Sequence, residues 1–223
     1  DYLNKENQYY QEMTAHTKAF QKELFEEMKA RIKEDDQSVP YLYNGYYYIT
    51  RFEMGSNYPI YSRKKGSLSA NEEIMFNCNE LAKGHKYFQL GGLSVSSNNQ
   101  FVAFAVDTVG RRIYKVQIKN LITGEIFADT IENTSGDSTW ANDNQTLFYT
   151  RQDEKTLRSD KVFKHKLNTA TSNDILVYFE KDDTYSVEVT KEKSKKYIVI
   201  SSSSTMTTEF RILLADNPEG EFT

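Results

Sequence analysis

The sequence predicts a mainly β chain built as part of a β-propeller, about four four-stranded antiparallel blades preceded by one N-terminal helical segment. Three observations carry this. The first is an internal repeat: Leu93-Ser-Val-Ser-Ser-Asn-Asn-Gln-Phe-Val-Ala-Phe104 recurs without a gap as Ser138-Thr-Trp-Ala-Asn-Asp-Asn-Gln-Thr-Leu-Phe-Tyr149. Val95 falls on Trp140, Asn99 on Asn144, Val102 on Leu147 and Phe104 on Tyr149, so alternate positions stay apolar around a polar turn, which is strand patterning. The second is the spacing: units of about four strands recurring every 40 to 50 residues mark propeller blades. The third is composition, with 16 Tyr and 13 Phe among 223 residues, which leans the bulk of the chain toward sheet.

Residues 3 to 33 form the one strongly helical stretch. Met13, Phe20, Leu24, Phe25, Met28 and Ile32 recur at helical spacing and make one apolar stripe, with a break expected near His16 because Thr14 or Thr17 starts a fresh helix. Burying six such side chains is worth roughly 1.5 to 3 kcal/mol each as an upper bound, so the stripe calls for a partner surface. Glu34-Asp-Asp-Gln-Ser-Val-Pro40 is a polar hinge, and proline pushes the residue before it out of the helical region. The boundary is placed there, with residues 1–38 as the helical segment and residues 39–223 as blades.

Blade one reads as Tyr46 to Phe52, a turn at Gly55 to Asn57, Tyr58 to Arg63, a turn at Gly66, and Glu73 to Asn77, its tyrosines packing on alternate faces, the alternative being a substrate-binding aromatic box. Blade two runs from Gly91 to about Glu132. Blade three runs from Ser138 to about Tyr178, with Trp140 on the innermost strand filling the gap between blades. Blade four begins near Tyr185, turns at Lys191 to Lys195, and continues through Tyr197 to Ile200 and Glu209 to Leu214, with Glu221 to Thr223 as a further strand starting. Four blades make a tight ring or, favoured here, an arc whose uncovered faces and edge lead to the expectation of self-association.

Charge and residue counts exclude several classes. Lys plus Arg number 28 against 32 Asp plus Glu, without a block of one sign, which argues against nucleic acid or an anionic membrane as partner. Cys78 is the only cysteine, so neither an internal disulfide nor a thiolate zinc site is built from this chain; the count leaves the compartment undecided, with cytoplasm the expectation and periplasm the alternative. No apolar run is long enough to span a bilayer. His16, His85 and His165 have no second His or Cys at ligand spacing, so no metal and no cofactor is expected; His165, between Lys164 and Lys166, reads as strand surface.

Several motifs carry a family resemblance. Ala15-His-Thr-Lys-Ala19, Leu24-Phe-Glu-Glu-Met-Lys-Ala-Arg-Ile-Lys-Glu-Asp-Asp-Gln-Ser-Val-Pro40, Tyr58-Pro-Ile-Tyr61, Ala105-Val-Asp-Thr-Val-Gly-Arg-Arg-Ile-Tyr114, Ile131-Glu-Asn-Thr-Ser-Gly136 and Glu180-Lys-Asp-Asp-Thr-Tyr185 resemble, in collinear order, the N-terminal half of the oligopeptidase B branch of the prolyl oligopeptidase family of serine peptidases. The resemblance implies the leading helices and roughly the first four blades of a seven-bladed propeller that caps a C-terminal α/β-hydrolase domain of the same parent protein. It implies that the helices pack on that domain, that the parent cleaves short basic peptides after Arg or Lys, and that the triad lies in the hydrolase domain. No segment of the present sequence corresponds to that domain.

The residues agree with that division. A hydrolase of this kind needs a serine at a Gly-x-Ser-x-Gly elbow, and none is present; Gly91-Gly-Leu-Ser94 and Ser135-Gly-Asp-Ser138 come nearest and read as blade-entry turns. No catalytic residue is assigned. The candidate contacts to substrate or to the hydrolase domain are Asp107, Arg111 and Arg112, the alternative being a hairpin clasp in which Asp107 holds one of the two guanidinium groups. Asp182 and Asp183 are further candidates for contact with substrate or with the hydrolase domain, or for a cation, the alternative being turn capping. A different class of function, a stand-alone propeller module gripping a protein or glycan, is kept beside the peptidase reading; the coding sequence that follows residue 223 separates the two.

Overall fold

The computed structural model describes residues 1–223. Two helices come first, α1 (Tyr2–Met13) and α2 (Lys18–Ala30), joined through a single 3-10 turn at Ala15–Thr17, so the break falls where the threonines put it. Thr14 and Thr17 donate their hydroxyls to the carbonyls of Tyr10 and Thr14, both at 2.7 Å, at the break between the two helices. Neither helix buries any residue, and Met13, Phe20, Phe25, Met28 and Ile32 of the stripe are all more than half exposed.

The hinge is fastened to the first sheet. Ser38 donates its backbone N–H to Thr50 at 2.8 Å, and Phe52 donates to the Asp36 carbonyl at 2.8 Å, with Gln37 bridging Arg51. The helical segment therefore leaves the blades from a fixed point.

Fourteen strands then make three antiparallel sheets. Blade one is β1 (Tyr41–Tyr43), β2 (Tyr46–Arg51), β3 (Ile60–Lys65) and β4 (Glu72–Asn77) in sequential order, followed by a one-turn helix α3 (Cys78–Leu81) capped by Asn77. The second sheet holds seven strands: β5 (Gln89–Val95), β6 (Phe101–Asp107), β7 (Tyr114–Asn120), β8 (Ile126–Trp140), β9 (Thr146–Gln152), β10 (Ser159–Lys166) and β11 (Ile175–Phe179). Blade four is β12 (Ser186–Lys191), β13 (Tyr197–Ser203) and β14 (Thr208–Leu214). At its edge Thr223 exchanges two backbone hydrogen bonds with Ile212, of 2.8 and 3.1 Å, although residues 221–223 form no strand of their own.

One expectation is corrected here. Ser135-Gly-Asp-Ser138 is not a turn entering blade three, and Gly91-Gly-Leu-Ser94 is not a turn entering blade two. The fifteen-residue β8 runs straight through the first, serving as the outer strand of blade two and then the inner strand of blade three, while the second lies inside β5. Both stretches are β-bulges: the pairing slips between Gly91 and Ser94 and between Thr134 and Ser138. The bulges bend the strands without ending them, because Thr134 Oγ1 donates to the Tyr114 carbonyl and accepts from Gly136 N–H, filling the ladder bonds the slip vacates.

Three apolar clusters fill the seams between blades. Phe76 of blade one and Phe104 of blade two meet at 4.7 Å between ring centres. Trp140 is 1 % exposed and donates its indole N–H to the Ser94 carbonyl at 2.9 Å, so it closes the seam between blades two and three as expected of a large inner-strand residue. Blade three packs on blade four through Phe148, Val162, Val187, Val189 and Ile200. The chain contains no helix long and apolar enough to cross a membrane.

Candidate functional site

The inner strand of each blade ends in a tight turn, and the four turns converge. Asn44, Asn99, Asn144 and Lys195 occupy equivalent places with φ of 50°, 62°, 57° and 63°. Asparagine tolerates this left-handed conformation better than other side chains, which explains three of the four. Their polar groups form a circuit. Asn44 Nδ2 donates to Ser97 O at 2.7 Å, and Asn99 Nδ2 donates back to Asn44 O at 3.1 Å. Asn98 N–H donates to Asn144 Oδ1 at 2.9 Å, and Asn142 Nδ2 donates to Lys195 O at 3.0 Å. Lys195 Nζ then reaches across to Asn44 Oδ1 at 2.8 Å and lies 4.9 Å from the centre of the Tyr43 ring. The strands of blades one and four do not pair, so this lysine closes the rim where the sheets leave an arc.

Ser97 and Lys191 belong both to this rim and to a cavity of about 400 Å³. Its walls come from all four blades: Tyr41, Tyr43, Tyr48, Ile49, Thr50, Tyr61, Ser62 and Met75 of blade one, Leu93 to Val95 of blade two, Thr139 and Trp140 of blade three, and Lys191 of blade four. The Tyr41 and Tyr48 rings stack at 5.4 Å. Lys191 is the only charged group in the lining, and its Nζ donates to Asn142 Oδ1 at 2.9 Å and Ser97 Oγ at 3.3 Å. Burial, with the Lys195 charge nearby, brings its pKa down to about 8, while Asp143 and Asp216 act in the opposite sense. Burial pushes the Tyr48 phenol up, partly offset by the Arg63 guanidinium, which stands close without hydrogen-bond geometry; Tyr48 Oη has no protein partner.

The sequence reading did not single out Lys191 as a site residue, yet its signal was available: it lies in phase with Val187 and Val189, the two buried positions of β12.

The candidates lie elsewhere. Asp107 is 1 % exposed and closes the β6–β7 hairpin, its Oδ1 accepting from Val109 N–H at 2.8 Å and Gly110 N–H at 2.9 Å and its Oδ2 from Arg112 N–H at 2.8 Å. The clasp uses the main chain of Arg112, not a guanidinium. Burial works to raise the Asp107 carboxyl, but the backbone N–H groups win and hold it below its ordinary value. The Arg111 and Arg112 side chains are exposed and form no ion pair. Asp182 Oδ1 accepts from Thr184 N–H at 2.9 Å and Thr184 Oγ1 at 2.7 Å, capping its own turn, while Asp183 is exposed beside it. Arg158 anchors the same loop through the carbonyls of Asp182 and Tyr185, at 3.1 and 2.7 Å. Hydrogen bonds from Ser202, against some burial, and then from Tyr178 and the Asp182 N–H bring the Glu180 carboxyl down to about 2.

His165 is corrected. It is not strand surface but 0 % exposed, with Nδ1 at 2.6 Å from Asp174 Oδ1 and Nε2 at 3.1 Å from Asp129 Oδ2, and Tyr149 donates its hydroxyl to Asp174 at 2.8 Å. Burial alone would lower the imidazole pKa, but the two carboxylates outweigh it and raise it, favouring imidazolium with both ring N–H groups donating. His16 and His85 are exposed. No group of three His, Cys, Asp or Glu side chains is placed to hold a metal ion.

Comparison with known proteins gives a consistent result. The family model described as the prolyl oligopeptidase N-terminal beta-propeller domain matches residues 1–223. Dipeptidyl aminopeptidase BI of Pseudoxanthomonas mexicana is 38% identical over 237 residues, an alignment that covers 100% of this chain and 33% of the relative. Protease 2 of Moraxella lacunata is 30% identical over 97% of this chain and 32% of its own length. Oligopeptidase B from Leishmania major superposes on 99% of this chain with a TM-score of 0.88 at 30% identity, again over 32% of the longer protein. The chain thus spans about a third of the length of the relatives it matches.

Proposed function

This chain belongs to the prolyl oligopeptidase family, through that family's N-terminal β-propeller domain, and on that premise we propose that it serves as the non-catalytic propeller of a serine oligopeptidase. Its blades stand over an active site carried by a C-terminal α/β-hydrolase domain of the parent. Their role is steric: short flexible peptides pass and folded proteins do not. The observation that carries this reading is the superposition of 99% of the chain on oligopeptidase B with a TM-score of 0.88. The exposed stripe of α1 and α2 supports it, since it supplies the apolar surface that a second domain would cover. Arg111, Arg112 and Asp183, exposed and unpaired, are the charges we assign to contact with that domain or with substrate. The peptides cleaved would be short and basic, cut after Arg or Lys.

A second reading of the parent, removal of dipeptides, is favoured by the 38% identity to a protein named as a dipeptidyl aminopeptidase. The test offers the full-length protein an N-terminally blocked Arg reporter, a free-amine dipeptide reporter and a stably folded protein, with the 223-residue chain run alongside. We expect cleavage of the blocked Arg reporter by the full-length protein only, and survival of the folded substrate. Turnover of the free-amine reporter alone would select the second reading. Digestion of the folded protein as fast as its unfolded form would overturn the steric role.

A further inference from the structure

The cavity beneath the rim has a hydroxyl that the protein leaves without a partner. Tyr48 Oη is buried, on a residue 6 % exposed that lines the cavity, whereas the Ser62 hydroxyl in the same wall stands by the Glu72 carboxylate and helps to hold it below its ordinary value. A buried hydroxyl without a hydrogen bond is unfavourable, so water or an occupant must meet it. Nine of the fifteen lining residues are hydrophobic, which makes the body of any occupant apolar. The one charged group that these four blades contribute to the lining is the Lys191 ammonium, and they contribute no carboxylate, so their electrostatic preference is for an anion. The volume of about 400 Å³ lies within the range of small-ligand sites.

We propose that this cavity binds a small monocarboxylate with an aromatic or aliphatic body, the carboxylate on Lys191 and the body against Tyr41, Tyr43 and Trp140. The same chemistry is offered by the C-terminal residue of a short peptide and by a fatty acid. The site is held by residues of four blades, so occupancy would tie blade one to blade four across the arc. This inference does not rest on the peptidase reading, and reporter hydrolysis is not its readout.

The experiment is calorimetric titration of the full-length protein with N-acetyl-phenylalanine, its neutral amide and decanoate, repeated on Lys191→Met, Lys191→Arg and Tyr48→Phe. We expect the acid to bind at least about tenfold more tightly than the amide, Lys191→Met to erase that preference, and Lys191→Arg to keep it. Binding should weaken as pH rises through about 8, where Lys191, set by Lys195, Asp143 and Asp216 around it, loses its proton. Tyr48→Phe should leave the melting temperature unchanged or raised while weakening the acid, a combination that loss of structure would not give. Saturation by N-acetyl-phenylalanine alone identifies the peptide terminus as the source, and by decanoate alone the fatty acid. Equal binding of acid and amide, binding untouched by Lys191→Met, or no saturation by either acid overturns the proposal. Unchanged acid affinity in Tyr48→Phe means that water alone satisfies the hydroxyl and removes it from the site.

Discussion

A Cβ atom built on Gly92 would stand 1.8 Å from the carbonyl oxygen of Gly136, so the bulge of β5 and the bulge of β8 press backbone against backbone at the inner edge of blades two and three. Gly92 also holds φ at +54°, in the region that side chains avoid. Gly92→Ala should therefore cost at least about 2 kcal/mol, from strain plus displacement of a strand. Gly124→Ala, at φ +80° but with nothing within 4 Å, should cost only about 1 to 2 kcal/mol. Urea midpoints at constant m-value check the difference, and equal costs would mean that the strands part easily.

The His165 cluster makes stability depend on pH in a defined sense. The imidazole pKa is raised above 6.5 in the fold, so its contribution is complete below that value and is lost as pH rises through the folded pKa. Lys191 acts oppositely from about pH 8 upward, because its pKa is depressed, so the comparison belongs between pH 6 and pH 8. Unfolding free energy should fall across that window in the native protein. His165→Gln should be less stable at the lower pH and should lose the slope.

Asp107 predicts an acid-side effect. Its carboxyl lies below the ordinary value of 3.8, so the stability it supplies is present above that pH and disappears as pH falls through the folded value. Asp107→Asn presents an N–H₂ to the backbone donors on one side and should cost about 1 to 3 kcal/mol at neutral pH. Acid titration followed by circular dichroism should show the step in the native protein and not in the variant.

The α1–α2 stripe and the bare face of β14, where Phe210 is 67 % exposed, should drive the 223-residue chain into dimers or larger assemblies. Phe25→Glu with Met28→Lys should shift it toward monomer in light scattering. If the helices pack on a second domain as proposed, the same pair should also lower reporter hydrolysis by the full-length protein. A native chain that stays monomeric at high concentration would remove the premise.

Much of this fold was legible in the chain. Alternation along Val95, Val102 and Phe104 and its echo at Trp140, Leu147 and Tyr149 determined strands, turns and blade count, because side-chain direction in a strand is a local property of the backbone. The helix stripe, its break near His16 and the turns at Asn99 and Asn144 were local in the same way. What sequence could not decide was which faces are covered. His165, flanked by Lys164 and Lys166, reads as surface, yet it shares a face with Phe163 in a blade enclosed by neighbours on both sides, and two aspartates distant in sequence close on it. The glycine strings at 91–94 and 135–138 read as turns; only the stacking of blades two and three makes them bulges. Lys191 and Lys195 read as the two ends of a polar turn; the phase of Lys191 with Val187 and Val189 turns it inward, and the convergence of four inner turns places it in a cavity wall and Lys195 across the rim. Local geometry determined the blades from sequence, and the contacts between blades, which join residues far apart in the chain, were decided by tertiary structure alone.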